Sequence, residues 1–374
     1  MINEKIGYYQ TGFRRFHNTI EAMLEEKRTG YSLEWIFNDK VYGAIDWTVP
    51  IEVPLKELYR LRAKQLREKY DYLLLQFSGG ADSTNVLHSF IDNDIFLDEI
   101  SMSVPGLDRK NLNGTDRDPR NQYGEIDFEA VPHLQKYKNL LHPNTKIRFV
   151  DISTPTFDIV NKAQTPEDIS LGLEPNVRMI CKSAYYNDRD TQELVDKGKK
   201  VAHILGVDKP LVHFDGTDYY SFFTDSNAYH QPMPEFTRKN MQGSYDTEFF
   251  YWTPDLPEIV VKQAQEVKRV AQLDVYTRTM LSKIRSSHIE NFRDVLHPII
   301  YPSHTHPIFQ TKKGGVKLIR EKESWFWENI DERNKGKYIE MIDYLGKNIN
   351  ERFLIGGNIA KGFKSISTTR FYKL

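Results

Sequence analysis

Two spacings of apolar residues alternate along the middle of the chain. Leu73 to Phe77 is a short apolar run of strand length, and Leu97 to Val104 is a second. Between them, from Ala81 onward, Val86, Leu87, Phe90 and Ile91 fall on one face of a helix. Strand, helix and strand at this separation predict a right-handed βαβ unit, and so a parallel sheet. Upstream, Leu55, Leu58, Leu61 and Leu66 predict a helix over 55–70 that packs on that sheet. Downstream, the pattern predicts a helix over 126–141, a third strand over 146–151, a helix over 192–205 and a fourth strand over 210–214. An acidic-capped segment begins at Glu167, and a helix is expected to follow Asn176. Near the start, Ile20 to Lys27 reads as an amphipathic helix. Residues 32–45 read as a β-hairpin turning at Asn38-Asp39-Lys40. Residues 258–285 are helical by pattern, as is the stretch through Trp325 and Trp327. The expectation is an α/β protein in three parts: a small α+β extension over 1–54, a domain built on a parallel sheet over 55–230, and a mainly helical accessory region over 231–374.

Composition narrows the options. A chain of 374 residues is long enough to bury a large core and to hold more than one folding unit. The formal net charge is −1, so no global field draws it to nucleic acid or a membrane. Arg60, Arg62, Lys64 and Arg67 form a local basic face, to be read as solvated or as a phosphate or nucleic-acid contact. Aromatics make up 13% and crowd into a tract from Tyr219 to Trp252, for which core packing is the general explanation and a substrate groove the alternative. Cys181 is the single cysteine, which excludes a disulfide within the chain and fits a reducing compartment. Met1 to Lys5 lacks an apolar signal segment, and no run approaches the roughly 20 apolar residues that span a bilayer. A cytoplasmic protein with no membrane partner is expected.

The chemistry gathers at Ser78-Gly79-Gly80, the turn between the first strand and its helix. Two glycines let the backbone bend sharply and approach a ligand. The first N–H groups of the helix have no partner inside it and can donate to an anion. Ser78 and Ser83 add hydroxyls. Asp82 would repel a phosphate unless a cation lay between them, and Mg²⁺ binds carboxylate and phosphate oxygens together. A helix dipole contributes only about 0.3–1 kcal/mol per interaction. That is too little to hold a triphosphate, so a metal and further Lys or Arg groups are implied. Arg178 and Lys182, four apart on one helix face, are candidates for phosphate contact or for a salt-bridged surface helix. Asp215-Gly216-Thr217-Asp218 follows the expected fourth strand, which would put it on the ligand-binding edge of the sheet; an Asx turn is the alternative.

Ser78-Gly79-Gly80-Ala81-Asp82-Ser83 resembles the SGGxDS pyrophosphate-binding loop of the PP-loop ATP pyrophosphatases. That superfamily includes asparagine synthetase, NAD synthetase, GMP synthetase, argininosuccinate synthetase, tRNA thiolation enzymes and phosphoadenylylsulfate reductase. The resemblance covers about residues 55–220 and is sharp only at 78–83. It implies a HUP-like, adenine nucleotide alpha-hydrolase fold, a three-layer sandwich around the parallel sheet. It implies ATP and Mg²⁺, with the phosphates held by Ser78, Gly79, Gly80 and Ser83 and the metal by Asp82. Adenine would lie by Gln76, Phe77, Met102 and Ser103. Asp82, Ser83, Arg178 and Lys182 become the catalytic candidates. Asp215 or Asp218 would hold the second side of Mg²⁺, by a loose likeness to the Gly-x-Gly-x-Asp-Glu segment of asparagine synthetase. The likeness is imperfect, because Phe214-Asp215 stands at the first glycine and Tyr219 at the Glu. Several members bring a C-terminal cation to the phosphates, which nominates Lys361, Lys364 and Arg370. Gly356 to Ser365 nearly spells a Walker A loop, but Phe363 separates Gly362 from Lys364, so a P-loop is rejected there. His297, His304 and His306 match no ordinary zinc spacing and read as a Pro-ordered loop.

The chemistry implied is attack of a substrate oxygen on the α-phosphorus of ATP. Pyrophosphate leaves, and a nucleophile then displaces AMP from the adenylylated intermediate. A lone mid-chain cysteine argues against sulfur chemistry borne by the protein itself. Ile2 and the short N-terminal stretch leave no glutaminase domain of the usual kind. The expectation is an AMP-forming ligase that uses ammonia or another amine. Two alternatives are an enzyme of the same fold that modifies a nucleic-acid base, gripping it with the 58–67 helix and the aromatic tract, and a non-catalytic nucleotide sensor. The expected partners are ATP and an unidentified acceptor, with nucleic acid or a second copy of the chain as alternatives.

Overall fold

In a computed structural model of the chain, residues 4–104, 123–124, 126–151, 153–172, 188–225, 242–282, 290–301 and 326–374 are described. The chain opens with β1 (Tyr8–Thr11) and β2 (Arg14–Phe16), then α1 (Thr19–Thr29), β3 (Leu33–Ile36) and the one-turn α2 (Asp39–Tyr42). The side chain of Asn18 caps α1 by accepting from the N–H groups of Ile20 and Glu21, and Gly30 ends it in the left-handed region at φ 76°. The three strands form an antiparallel sheet in the order β2-β1-β3. The hairpin is therefore β1–β2, not 32–45. Residues 39–42 curl into helix because the aromatic cluster draws Tyr42 back, to 5.9 Å from Phe37 and 4.5 Å from Phe223 between ring centroids. An isolated two-stranded ribbon would have no such burial to stabilise it.

Next come α3 (Leu55–Lys69), β4 (Tyr72–Gln76), α4 (Ala81–Ile91) and β5 (Glu99–Val104). A π-helical turn over Ile126–Ala130 leads into α5 (Val131–Lys136), followed by β6 (Lys146–Asp151), α6 (Ser153–Lys162), α7 (Pro166–Gly172), α8 (Arg189–Asp196) and β7 (Lys200–Leu205). Then follow β8 (Leu211–Phe214), β9 (Tyr219–Phe222), β10 (Ser244–Phe249), α9 (Glu258–Leu273), α10 (Val275–Leu281), α11 (Glu290–Ile300), α12 (Glu332–Asn348) and β11 (Tyr372–Lys373).

The central sheet has five strands, all parallel, in the order β10-β7-β4-β5-β6. The chain lays down β4, β5 and β6 in one direction, then crosses to the other side of β4 for β7 and β10. This makes an α/β protein with a reversal of strand order between β4 and β7. The fourth parallel strand is thus Lys200–Leu205, where a helix was expected. The helix stops at Asp196, and Gly198 turns the chain at φ 84°. The stretch expected as that strand, β8, instead pairs antiparallel with β9 in a separate sheet ordered β11-β9-β8.

Alternation along β4 sorts its side chains to the two faces of the sheet. Leu73 and Leu75 join the main core, while Tyr72 and Leu74 meet Val195 of α8 and Val150 in a smaller cluster. Both faces are covered, as a parallel sheet requires. The main core also takes in Trp35, Trp252 and Leu345, so apolar residues from the beginning, middle and end of the chain share it. Most of the described part of the aromatic tract is interior: Phe222, Phe223, Phe249, Phe250, Tyr251 and Trp252 are buried, whereas Tyr220 and Tyr245 are half-buried. The basic face of α3 is spent on ion pairs. Arg60 meets Glu57, Lys64 meets Glu68, Arg67 meets Asp98, and the buried Arg62 meets Glu248 at 2.7 Å. Among the described residues, no helix is long and apolar enough to cross a membrane.

Candidate functional site

The site is built where β4 gives way to α4. Phe77 continues the strand's pairing by donating its N–H to the carbonyl of Ser101 at 2.8 Å. Gly79 then turns at φ 74°, and a Cβ there would lie 2.6 Å from the backbone nitrogen of Ala130. Both the conformation and the close approach demand glycine. The helix closes its first bond from Thr84 N–H to the carbonyl of Gly80 at 3.0 Å. Gly80 sits at the cap position in an extended conformation, and no side chain among the described residues caps the helix. The first-turn N–H groups are therefore left for water or a ligand. The two serines line the same turn, with their hydroxyl oxygens 3.5 Å apart. Ser83 donates to the carbonyl of Gly80 at 3.2 Å.

The second wall comes from the neighbouring strand. Gly206 follows β7, and a Cβ on it would lie 3.0 Å from the backbone of Asp82 and Ser83. This packs the 206–209 segment onto the first turn of α4. It carries Lys209, whose ammonium donates to both carboxylate oxygens of Asp82 at 2.6 Å. The third wall is the end of α11, where the Tyr301 hydroxyl donates to Oδ1 of Asp82. Tyr251 donates to the backbone carbonyl of Asp82 at 2.9 Å and accepts from the Asn85 side chain at 2.9 Å. His297 stacks on Tyr301 at 5.7 Å.

Burial by itself would push the Asp82 carboxyl up, but the Lys209 ammonium and the Tyr301 hydroxyl outweigh it, and the group is held below its usual range. Burial and the Asp82 charge push the Tyr301 hydroxyl well above its ordinary value. Asp82 thus stays ionised and Tyr301 stays a donor. The assembly lies at the C-terminal ends of β4 and β7, where the strand order reverses. In open α/β sheets that crevice is the place where ligands bind. A carboxylate, an ammonium and free helix N–H groups there can take a polyanion and its counter-cation. Compared with known proteins, the chain matches no family model and no curated protein.

Most of the other sequence candidates fall elsewhere. Phe77 and Met102 point into the core and can offer a base only their backbone. Asp215 accepts from the N–H groups of Thr217 and Asp218 at 2.8 Å, an Asx turn, and Asp218 pairs with Lys373 at 2.7 Å. That turn joins two antiparallel strands at the far end of β8 from Lys209, so the structure does not gather Asp215 and Asp218 around Asp82. Among the described residues no three His, Cys, Asp or Glu side chains come together as a metal site. Lys364 donates to the carbonyl of Arg352 at 3.0 Å, Arg370 donates to that of Gly43 at 3.2 Å, and Lys361 lies in a short 3-10 turn whose ammonium approaches Gly356. None of these contacts brings the tail to the Ser78 turn. Arg178, Cys181, Lys182, His304 and His306 lie outside the described residues. Sequence reasoning missed Lys209, Tyr251 and Tyr301. For Lys209 the signal was present: an apolar run, Val201 to Leu205, broken by Gly206, repeats the strand-then-glycine pattern that marks the Ser78 turn.

Proposed function

We propose that the chain is an ATP-dependent enzyme that forms AMP and pyrophosphate, with the Ser78–Ser83 turn as its phosphate site and the central domain as a fold of the adenine nucleotide alpha-hydrolase type. The observation that carries this reading is a coincidence of place: the SGGADS string, an uncapped helix N-terminus and a partly open carboxylate meet at the strand-order reversal. An SGGADS string in a surface loop would have carried no such meaning.

The residues fit the roles. The N–H groups at the start of α4, with Ser78 and Ser83, bind the departing pyrophosphate, and their hold strengthens as charge builds on it. Asp82 fits magnesium by donor type, since Mg²⁺ takes hard oxygen ligands and usually keeps one or two carboxylates besides water and phosphate oxygens. The ion, when bound, would neutralise charge on the leaving group. Tyr301 orients the carboxylate. An acceptor oxygen attacks the α-phosphorus and expels pyrophosphate; an amine or ammonia then attacks the adenylylated carbon of the acceptor and expels AMP. The nucleic-acid reading is the weaker one, because the basic face of α3 is paired and most of the described aromatic tract is core.

The test is release of pyrophosphate from ATP and Mg²⁺ in the presence of ammonia and a panel of carboxylate and amide-oxygen acceptors. Release that depends on acceptor supports the reading. Tight ATP binding with no release on any acceptor would favour the sensor instead. Failure to bind ATP at all would overturn both.

A further inference from the structure

Both oxygens of the Asp82 carboxylate are engaged by a single ammonium. Lys209 holds each at 2.6 Å, and its side chain is only 8% exposed. A metal that reaches the exposed side of this carboxylate therefore competes with Lys209 for both oxygens. A dication arriving alone would have to dislodge Lys209 and leave a buried ammonium unpaired beside it. Removing the partner of a buried charge is strongly unfavourable. A polyphosphate arriving alone would bring its charge to Asp82 with Lys209, among the described residues, as the cation between them. Arrival of both solves both problems at once: the metal takes the carboxylate, and the displaced ammonium turns to the phosphates.

We propose that Lys209 is a resident stand-in for the metal, tying Asp82 until cation and nucleotide bind together, and that it thereby makes each dependent on the other. The proposal rests on the reading of the Ser78 turn as an ATP site. Its consequence is thermodynamic coupling. ATP raises affinity for the metal, and the metal raises affinity for ATP by the same factor. In the absence of ATP, the protein takes up metal poorly because an internal cation already fills the place.

Mn²⁺ serves as the probe, followed through the loss of its free-ion paramagnetic resonance signal, with and without ATP. The wild-type chain should bind Mn²⁺ weakly alone. Lys209→Met should bind Mn²⁺ alone on the order of 10-fold more tightly, and the enhancement by ATP should shrink by a similar factor. Lys209→Met/Asp82→Asn should lose the gain, which ties it to this carboxylate. Lys209→Gln, which keeps a donor without the charge, should behave like Lys209→Met and covers the case in which the methionine variant fails to fold. A folded Lys209→Met or Lys209→Gln whose Mn²⁺ affinity matches wild type overturns the proposal. The two readings fail separately. Acceptor-dependent pyrophosphate release with no metal gain sinks the stand-in role alone. A metal gain that ATP never influences, in any variant, sinks the nucleotide coupling and the ATP site together.

Discussion

Two ion-paired carboxylates in this molecule are held by the same kinds of group, and they do different work. Glu248 on β10 receives Arg62, Lys69 and the Tyr70 hydroxyl, with Lys5 at 3.9 Å, and its side chain is 5% exposed. Asp82 receives Lys209 and the Tyr301 hydroxyl, and 31% of its side chain reaches solvent. Glu248 sits in the middle of a helix–strand contact, where α3 lies against the sheet and Asp255 extends the network to Lys5. Asp82 sits on the first turn of an uncapped helix, beside a glycine bend, at the ligand-binding edge of the sheet. A carboxylate saturated by several cations on all sides is a brace. A carboxylate with one ion-pair partner among the described residues, and an open side, is poised to change partner. The contrast lies in surroundings rather than in residue types.

The comparison breaks or sharpens at four points. The largest effect is expected at the brace. Glu248→Ala leaves Arg62 charged and buried, and denaturant unfolding should show a loss of about 3–5 kcal/mol. Replacing the pair together, as Arg62→Met with Glu248→Leu, should recover most of it, since a buried pair exchanged for apolar residues of similar volume is often neutral. At the site the balance reverses. Asp82→Asn keeps an acceptor for Lys209 and Tyr301, so stability should fall less than in Glu248→Ala. Pyrophosphate release should fall at least about 100-fold, a barrier change of about 2.7 kcal/mol. Turnover equal to wild type would remove Asp82 from the chemistry.

Gly79→Ala comes third. A side chain there meets an unfavourable φ and the Ala130 backbone together, and a cost of about 1–3 kcal/mol is expected from unfolding. Gly216→Ala has a positive φ of 107° but nothing within 4 Å of the added carbon, so it should cost less. Equal costs would show that the Ala130 contact gives way easily.

The smallest effect is in pH. Burial, with the neighbouring charges of His88 and Lys136, lowers His133 from 6.5 to about 4, so it is folded as a neutral ring. Its stabilising share is complete above pH 6.5 and is lost as pH falls towards 4, because the unfolded chain takes up the proton first. For Glu248, burial raises the carboxyl but Arg62 and Lys5 prevail and hold it at about 2, against 4.5 unperturbed. Its share is lost lower, as pH falls from 4.5 towards 2. His133→Gln should flatten the upper window and leave the lower one. A slope unchanged between pH 6.5 and 4 would mean that His133 is not the group responsible.

The parts legible in the sequence were those fixed by local pattern. The β4–turn–α4 unit, β5, β6 and α3 each announce themselves in a single apolar run or stripe with clear punctuation, and the structure has them there. The errors came where neighbouring patterns fused. Leu194 and Val195 in α8 and the run Val201 to Leu205 fit one helical stretch if Gly198 is passed over, and the glycine instead ends the helix and lets a strand begin. Leu211 to Phe214 is a true strand, but nothing local says which sheet it joins. The residues that complete the site are remote from Asp82 in the chain: Lys209 is 127 positions away and Tyr301 is 219. Their meeting depends on strand order and on how α11 packs; the glycine break after Val201 to Leu205 marks the turn that carries Lys209, but nothing local says that it faces Asp82. Tyr301 lay in a stretch whose histidines and prolines drew attention to metal binding instead.

The most direct test of the central claim is a crystal structure grown with Mg²⁺ and α,β-methylene ATP, which cannot be cleaved at the bond in question. The account predicts phosphates against the N–H groups that open α4 and against Ser78 and Ser83, with magnesium on Asp82 and Lys209 turned to the phosphates. A nucleotide bound elsewhere, with the Asp82–Lys209 pair still closed, would contradict it.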